Sequence, residues 1–83
     1  MNWMVSWLPM AEQTLIDLWI NAPDRQAVTA AADQIDHDLE HHPLQAGESR
    51  DGGTRIHIVP PLAVLYDVDP ANKTVTVWAV WRI

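Results

Sequence analysis

Polar and apolar residues alternate along the last third of the chain, and this period of two predicts β-strands. Residues 55–59 and 74–83 alternate, and residues 62–68 form an apolar run that contains Tyr66. Segments rich in Val, Ile, Thr and Trp with this period fit a pleated, half-buried sheet. Pro60 and Pro61 separate the first two segments, and residues 69–73 form a plausible hairpin loop between the last two. The pattern predicts a three-stranded meander.

The first half of the chain shows one short strand followed by two helical periods. Residues 3–7 place Trp3, Val5 and Trp7 on one strand face. A helix opens at Pro9 and ends near Asn21, because proline is tolerated in a first turn and one apolar stripe follows it: Ala11, Leu15, Leu18 and Trp19. Asp24 is the expected N-cap of a second helix, which ends by His42 before Pro43 and has its own stripe: Val28, Ala31, Ala32, Ile35 and Leu39.

The order β-α-α-β-β-β predicts an α+β fold in which an α-hairpin packs on one face of a four-stranded antiparallel sheet. Residues 42–54 hold all three glycines and are expected to form an irregular loop. We expect a single domain over residues 1–83. Its core should include Leu39, Ile56, Ile58 and Val64. The carboxylates of the second helix should stay exposed: Asp33, Asp36 and Glu40.

Composition and charge narrow the classes of function. The chain has 83 residues, no cysteine and a formal net charge of −6. Seven acidic residues stand against Arg25 within residues 1–40, so the helices carry the negative charge. This balance disfavours general affinity for nucleic acid, and no segment has the length of a membrane span. A cytoplasmic protein without disulfides, cofactor or metal site is expected.

Three segments together resemble the RelE/ParE superfamily of toxins from type II toxin-antitoxin modules. They are residues 1–12 (MNWMVSWLPMAE), residues 33–49 (DQIDHDLEHHPLQAGES) and residues 59–69 (VPPLAVLYDVD) followed by the C-terminal VWRI. Each segment is a weak indication by itself. Their order and spacing cover nearly the whole chain.

The resemblance implies a compact toxin that is neutralised by an antitoxin, with a homodimer as one candidate assembly. It implies one of two targets, either messenger RNA cleaved on the ribosome or DNA gyrase. In the RNA-cleaving branch, basic residues stabilise the transition state. By position, Arg55, Arg82 and Tyr66 match the catalytic sites of that branch.

The chain also departs from the RNA-cleaving pattern. It has only five Lys and Arg residues, and it ends in Trp81-Arg82-Ile83 without a terminal His or Tyr. A second hypothesis is therefore a non-catalytic member that only binds an antitoxin or another partner. The adjacent open reading frame would test the module hypothesis directly.

Strand geometry adds candidates of its own. Arg55 and His57 share one face of their strand, which we expect to face solvent, and the imidazole would suit proton transfer. Alternation places Arg82 on the face of Trp78, where the two would form an exposed patch. For partner binding we select Arg50, Trp78 and Trp81, since aromatic residues and arginine are enriched at interfaces.

One local motif has a simpler structural explanation. Residues 37–41 (HDLEH) match the H-x-x-E-H pattern of a family of zinc peptidases. We reject a zinc site because Leu39 is needed in the core and no third ligand is evident, so His37 and His41 are expected on the solvated helix face. Asp69, similarly, is expected to form the turn after Val68 rather than an acid/base group with Tyr66.

Overall fold

The computed structural model describes residues 2–83, apart from the side chain of residue 51. Its elements in chain order are β1 (Met4–Trp7), α1 (Pro9–Asn21), α2 (Arg25–His41), α3 (Pro43–Ala46), β2 (Glu48–Ser49), a short 3₁₀ turn (Asp51–Gly53), β3 (Thr54–Val59), β4 (Leu62–Asp69) and β5 (Thr74–Arg82). The predicted strand, two helices and meander are all present. The α+β class is confirmed.

The five strands form one mixed sheet in the order β1-β5-β4-β3-β2. Strands β2 to β5 pair antiparallel, but β1 pairs parallel to β5, with Met4 opposite Thr74 and Trp7 opposite Val77. The expectation of four strands, all antiparallel, is therefore corrected in these details. Parallel neighbouring strands need a long connection. Along the chain, this connection contains both helices and the other strands, which come after β1 and before β5.

Helices α1 and α2 pack on the same face of the sheet, as predicted. The core between the layers contains Val28, Ile35 and Leu39 from α2, together with Leu62, Val64, Tyr66, Val75 and Val77 from the sheet, all of them fully buried. Helix α2 ends at His41, with His42 as its C-cap before Pro43. Asp33 and Asp36 are exposed as predicted, whereas Glu40 is half-buried, contrary to the prediction, and its carboxylate accepts a hydrogen bond from Asn2 Nδ2.

The segment predicted as an irregular loop contains regular structure. Pro43 begins the one-turn helix α3 at its first position, where proline is favoured, and β2 then pairs with Arg55 and Ile56 of β3. Asp24 occupies the N-cap position of α2 as expected, but its side chain makes no capping hydrogen bond. The turn before β5 agrees with the prediction, since Asp69 Oδ2 accepts a hydrogen bond from Asn72 Nδ2 at 2.8 Å.

Strand β3 has the opposite orientation to the predicted one. Its cross-strand pairs set Arg55 against Tyr66 and His57 against Val64, so the polar side chains lie on the helix side. Ile58 is consequently 51% exposed and Ile56 half-buried on the other side of the sheet. The burial predicted for these two isoleucines is wrong, whereas that of Val64 and Leu39 is confirmed.

A β-bulge in β5 changes the alternation of that strand. Leu65 lies opposite Ala79 while Tyr66 lies opposite Val77, which leaves Trp78 as the extra residue. Val75 and Val77 before the bulge and Val80 after it are all buried in the core. Arg82 therefore shares the helix side with Val80 and not the face of Thr74 and Thr76, contrary to the simple alternation.

Within the described residues, none of the helices combines the length and the apolar character that crossing a membrane would require.

Candidate functional site

Arg55 and Tyr66 hold the segment between α2 and β3 against the sheet. Arg55 Nη2 donates hydrogen bonds to the carbonyl oxygens of Leu44 and Gly47, each at 2.7 Å. The hydroxyl of Tyr66, which is fully buried, donates to the carbonyl of Pro43 at 2.7 Å. Burial raises the pKa of Tyr66, despite the neighbouring Arg55 guanidinium, so the phenol is a neutral donor at pH 7. Both side chains have structural contacts that keep them inside the protein.

Gly47 is required where these contacts converge. A Cβ atom at this position would lie 2.5 Å from the carbonyl oxygen of Ile56 and 2.6 Å from the hydroxyl of Tyr66. No larger residue fits without displacing backbone. The glycine therefore permits the close approach through which Arg55 reaches two carbonyl groups.

His57 joins β3 to α2 through Asp38. Nε2 of His57 donates to Asp38 Oδ2 at 2.8 Å, and Gln34 Nε2 donates to Asp38 Oδ1 at 2.7 Å. Burial acts to raise the pKa of Asp38, but the hydrogen bonds from His57 and Gln34 outweigh it and the pKa is lowered. Only 13% of the His57 side chain is exposed. The imidazole is thus held in one orientation by Asp38. The prediction that His57 faces solvent is wrong.

The His57 pair lies beside a recess of about 250 Å³. The recess is lined by residues of α3, β2 and β3 and by the residue that joins α3 to β2: Ala46, Gly47, Glu48, Ile56, His57 and Ile58. Arg55 precedes His57 on the helix side of β3. Of the four predicted catalytic residues, only His57 lines this recess.

Arg82 lies apart from that recess, at the start of α2. Its Nη2 donates to Asp24 Oδ2 at 2.8 Å, and both side chains are more than one-third exposed. This hydrogen bond lowers the pKa of Asp24 and raises that of Arg82. The four predicted catalytic residues are therefore separated: Tyr66 is buried, Arg55 is half-buried against α3, His57 is paired with Asp38, and Arg82 forms a surface ion pair.

The open face of the sheet, away from the helices, has an apolar half. Here Ile58, Ala63 and Trp81 lie side by side across β3, β4 and β5, next to the row of Ile56, Leu65 and Ala79. Ile58 is 51% exposed, Trp78 at the bulge 40% and Trp81 36%. We call the surface of Ile56, Ile58, Leu65, Trp78 and Trp81 the open-face patch. The exposure predicted for Trp78 agrees with the structure, whereas the patch predicted for Trp78 with Arg82 is not formed, because the bulge places Arg82 on the helix side.

The other half of the open face is polar. Ser6, Thr76, Asp67 and Thr54 follow one another across four strands, and Thr54 Oγ1 donates to Asp67 Oδ1 at 2.9 Å. Arg55 and Arg82 are the only Lys or Arg residues within the strands, and both lie on the helix side. Across the strands that the structure describes, the open face therefore presents no lysine or arginine.

The side chains of Arg25 and Lys73 make contacts with nearby residues. Arg25 donates to the carbonyls of Trp19 and Ile20 at the end of α1 and lies over the Trp19 ring. Lys73 lies 4.7 Å from the ring centroid of Trp3. Arg50 is exposed after β2, and its backbone N–H donates to the Thr54 carbonyl at 2.6 Å. The described basic side chains form no cluster.

The two histidines of the H-x-x-E-H motif are exposed on α2, with ring centroids 4.3 Å apart. His41 Nδ1 lies 2.8 Å from the carbonyl oxygen of His37. No group of three or more His, Cys, Asp or Glu side chains suited to a metal occurs among the described residues.

Three contacts were not predicted from the sequence. Asp38 positions His57, and Asp24 positions Arg82. Gly47 accepts a hydrogen bond from Arg55. The signal for Asp38 was its position four residues after Gln34 and one residue before Leu39, which places it next to the core stripe. A glycine close to Pro43 was the signal for a tight backbone approach. The sequence pattern does not indicate which helix residue contacts which sheet residue.

No protein-family model and no curated protein sequence matches this chain. Solved structures do. The toxin-antitoxin complex RelBE2 from Mycobacterium tuberculosis gives a TM-score of 0.81 at 23% identity, with 100% of both chains covered. The ParDE system of P. aeruginosa gives 0.73 at 15% identity, with 98% of this chain and 96% of that chain covered. The isolated E. coli RelE toxin gives 0.69 at 13% identity, with 96% and 83% covered. The chain has the RelE/ParE toxin fold.

Proposed function

We propose that this chain is the toxin component of a type II toxin-antitoxin module and that it acts by binding proteins through the open-face patch. An antitoxin would neutralise it at this surface. Growth arrest would follow from binding a protein target, for which DNA gyrase is the example in the ParE branch. The fold supports the first part of the proposal, and the open-face patch supports the second.

The observation that carries the proposal is the apolar half of the open face. Ile58, Trp78 and Trp81 are each more than one-third exposed and lie around the small side chain of Ala63. Contiguous exposed apolar surface of this kind marks interaction sites, and tryptophan is enriched among the residues that dominate binding. In the proposal, the exposed Arg50 contacts the partner from beside Thr54, at the polar half of the same face.

The placement of the cations argues for protein binding over RNA cleavage. Stabilising a phosphoryl transition state requires preorganised positive charge at the reacting group. In this chain Arg55 donates to two backbone carbonyls and Arg82 to a carboxylate. With a net charge of −6, the chain also lacks the general attraction to phosphates that nucleic-acid binding draws on.

An inducible-expression experiment tests the proposal. The double variant Ile58→Gln/Trp81→Ala should relieve growth arrest, because it removes the apolar side chains at the centre of the patch. Leu44→Gln is the matched control, since Leu44 is 46% exposed but lies on α3. Purified protein should inhibit gyrase supercoiling and leave messenger RNA on ribosomes intact.

Two results would contradict this function. One is a parent protein that causes no growth arrest. The other is a double variant that arrests growth as strongly as the parent while both melt at the same temperature. For the antitoxin, the product of the neighbouring gene should slow hydrogen exchange in β3, β4 and β5, and unchanged exchange there would argue against this binding surface.

A second candidate function is ribosome-dependent RNA cleavage, and the His57–Asp38 pair is the observation in its favour. An imidazole oriented by a carboxylate is suited to proton transfer, and this one lines a recess of about 250 Å³. On this hypothesis, His57→Gln would reduce cleavage by about two orders of magnitude. Gyrase inhibition would be unaffected by the same substitution, which separates the two candidates.

A further inference from the structure

His37 and His41 form a pair of solvent-exposed imidazoles on α2. They are four residues apart in the helix, so their side chains lie one turn from each other on the same face. Their ring centroids are 4.3 Å apart, with 35° between the ring planes. Both rings lie outside the core, the open-face patch and the recess beside His57. The proposed function therefore leaves this pair unexplained.

The backbone already orients one ring of the pair. His41 Nδ1 lies 2.8 Å from the carbonyl oxygen of His37. A carbonyl oxygen can only accept a hydrogen bond, so Nδ1 carries the proton, and in the neutral ring Nε2 carries the lone pair. Histidines that bind a metal almost always donate their second ring N–H to a carbonyl, a carboxylate or water, which fixes the ring and raises the basicity of the ligating nitrogen. His41 thus has the tautomer of a metal ligand that binds through Nε2.

The separation of the two rings fits a shared metal ion. A zinc–nitrogen bond is about 2.0–2.1 Å long, so two imidazoles that bind one ion at roughly 90–110° have ring centroids roughly 4.5–5.2 Å apart. The observed separation of 4.3 Å is slightly shorter. Exposed side chains change rotamer within nanoseconds, and a small rotation is enough to open the pair around an ion.

The charge of α2 also favours a cation at this position. His41 is the last residue of the helix, where the carbonyl groups of the final turn carry partial negative charge. Asp33 lies one turn before His37, on the same exposed face. Arg25, at the opposite end, is the one lysine or arginine of α2. A divalent ion between the two rings would therefore meet a negative potential from this helix.

We propose that His37 and His41 chelate one divalent metal ion of the zinc, nickel and copper group. Imidazole nitrogens suit these ions, whereas magnesium and calcium prefer oxygen ligands. The two rings supply two ligands and water fills the remaining positions, since the described residues hold no group of three or more suitable side chains. The chain would then bind a metal, contrary to the expectation from its sequence. This site goes beyond the proposed toxin function and does not depend on it.

This chelate differs from the peptidase site that the H-x-x-E-H motif suggests. A zinc peptidase needs three protein ligands and uses the glutamate as a general base. Glu40 is half-buried and its carboxylate accepts a hydrogen bond from Asn2 at 2.9 Å, while Leu39 is fully buried in the core. The pair is therefore expected to bind a metal without hydrolytic activity.

Calorimetric titration of the full chain with zinc chloride tests the site. We expect one zinc ion per chain and no binding of magnesium at the same concentration. His37→Gln and His41→Gln should each weaken zinc binding by at least about tenfold, because each removes one of two ligands. His42→Gln is the matched control, since His42 is also exposed but is the C-cap residue after the last helical turn. It should bind zinc as the parent does.

Thermal unfolding gives a second readout. Zinc at about ten times its dissociation constant should raise the melting temperature of the parent by roughly 5 °C or more, because the folded helix presents both rings to one ion and the unfolded chain does not. This rise should be lost in His37→Gln and in His41→Gln and kept in His42→Gln. Circular dichroism without metal checks that each variant is folded.

Four outcomes would overturn the inference. Absence of zinc binding to the parent would remove the site. Unchanged binding in both His37→Gln and His41→Gln would place the ion elsewhere on the chain. Equal losses in all three variants, His42→Gln included, would show diffuse binding to histidine. Displacement of zinc by an equal concentration of magnesium would assign the binding to carboxylates. These readouts are independent of growth arrest, so failure of the toxin proposal would be visible separately.

Discussion

At the scale of single residues, Gly47 has the most demanding position in the structure. The positions that a Cβ would meet belong to the backbone of Ile56 and to the buried hydroxyl of Tyr66. Neither can move without breaking contacts, because Ile56 pairs with Glu48 of β2 and with Leu65 of β4, and Tyr66 donates to the Pro43 carbonyl. One methyl group is therefore enough to disturb the junction of α3 with the sheet.

Gly47→Ala should lower the free energy of unfolding by about 1–3 kcal/mol, the usual range for overpacking a well-packed site. Urea denaturation measures this change. Part of the loss should disappear in the Tyr66→Phe background, where the nearest side-chain oxygen is absent, so the two substitutions should be non-additive. Strict additivity would show that the clash with Tyr66 is unimportant.

A pH dependence follows from Asp38. Its pKa is lowered in the folded protein, so its carboxylate contributes stability that is present above the unfolded pKa of about 3.9 and is lost as pH falls through the folded pKa. The free energy of unfolding of the parent should therefore fall as the solution is acidified below about pH 4. Asp38→Asn should reduce that fall, while Asp24 and Asp69, whose pKa values are also lowered, keep contributing. Identical acid titrations of stability for parent and variant would exclude this contribution.

At the scale of elements, α2 packs its apolar stripe against the sheet while β3 directs its isoleucines outward. Leu39 is fully buried and Ile58 is 51% exposed. Leu39→Ala should then cost about 2–5 kcal/mol of stability, because it leaves a cavity between the layers. Ile58→Ala is the control and should cost about 1 kcal/mol or less, since its side chain is already half in water. Similar losses for both would mean that the assigned face of β3 is incorrect.

The sequence predicts the elements better than their faces. Periods of 3.6 and 2 locate α1, α2 and the meander, because the stripes of Val28, Ile35 and Leu39 are continuous. The face of β3 was not predictable, since the polar atoms of Arg55 and His57 find partners in α3 and α2 that lie far away in sequence. The bulge at Trp78 was equally hidden, because a single extra residue in a strand of alternating Val and Trp leaves no compositional trace.

The candidate site shows the same limit. Exposure of Trp78 was predictable, because a sheet covered on one side leaves the other side open, whereas the position of Trp81 on the same face depends on the bulge. The separation of Arg55, Tyr66, His57 and Arg82 was not, since it depends on the bulge and on Asp24 and Asp38. Local sequence pattern therefore predicted that one sheet face is open. Contacts between residues distant in sequence determine which side chains lie on that face.

At the scale of the whole molecule, the basic side chains join elements to one another. Arg82 connects the end of β5 to the start of α2, and Arg55 connects β3 to α3 and to the adjoining Gly47. If growth arrest depends on protein binding, Arg82→Ala should remain toxic and should melt close to the temperature of the parent, because exposed ion pairs add little to stability. Growth curves and melting temperatures of the variant measure both effects. Loss of toxicity at unchanged stability would favour the catalytic hypothesis. Arg55→Ala is less informative, because it also removes the two hydrogen bonds that hold α3 and Gly47 against β3.

The parallel pairing of β1 with β5 has a consequence for the order of assembly. Met4 lies opposite Thr74, so the first strand to be synthesised has no hydrogen-bonding neighbour in the sheet until the last strand has left the ribosome. Contacts between such distant segments close late, because the entropy of the intervening loop opposes them. Helix α1 packs mainly on β5, so its apolar stripe stays open to water during that interval, whereas α2 can already pack on β3 and β4. The completed pairing of β1 with β5 is therefore the step that closes the core beneath α1.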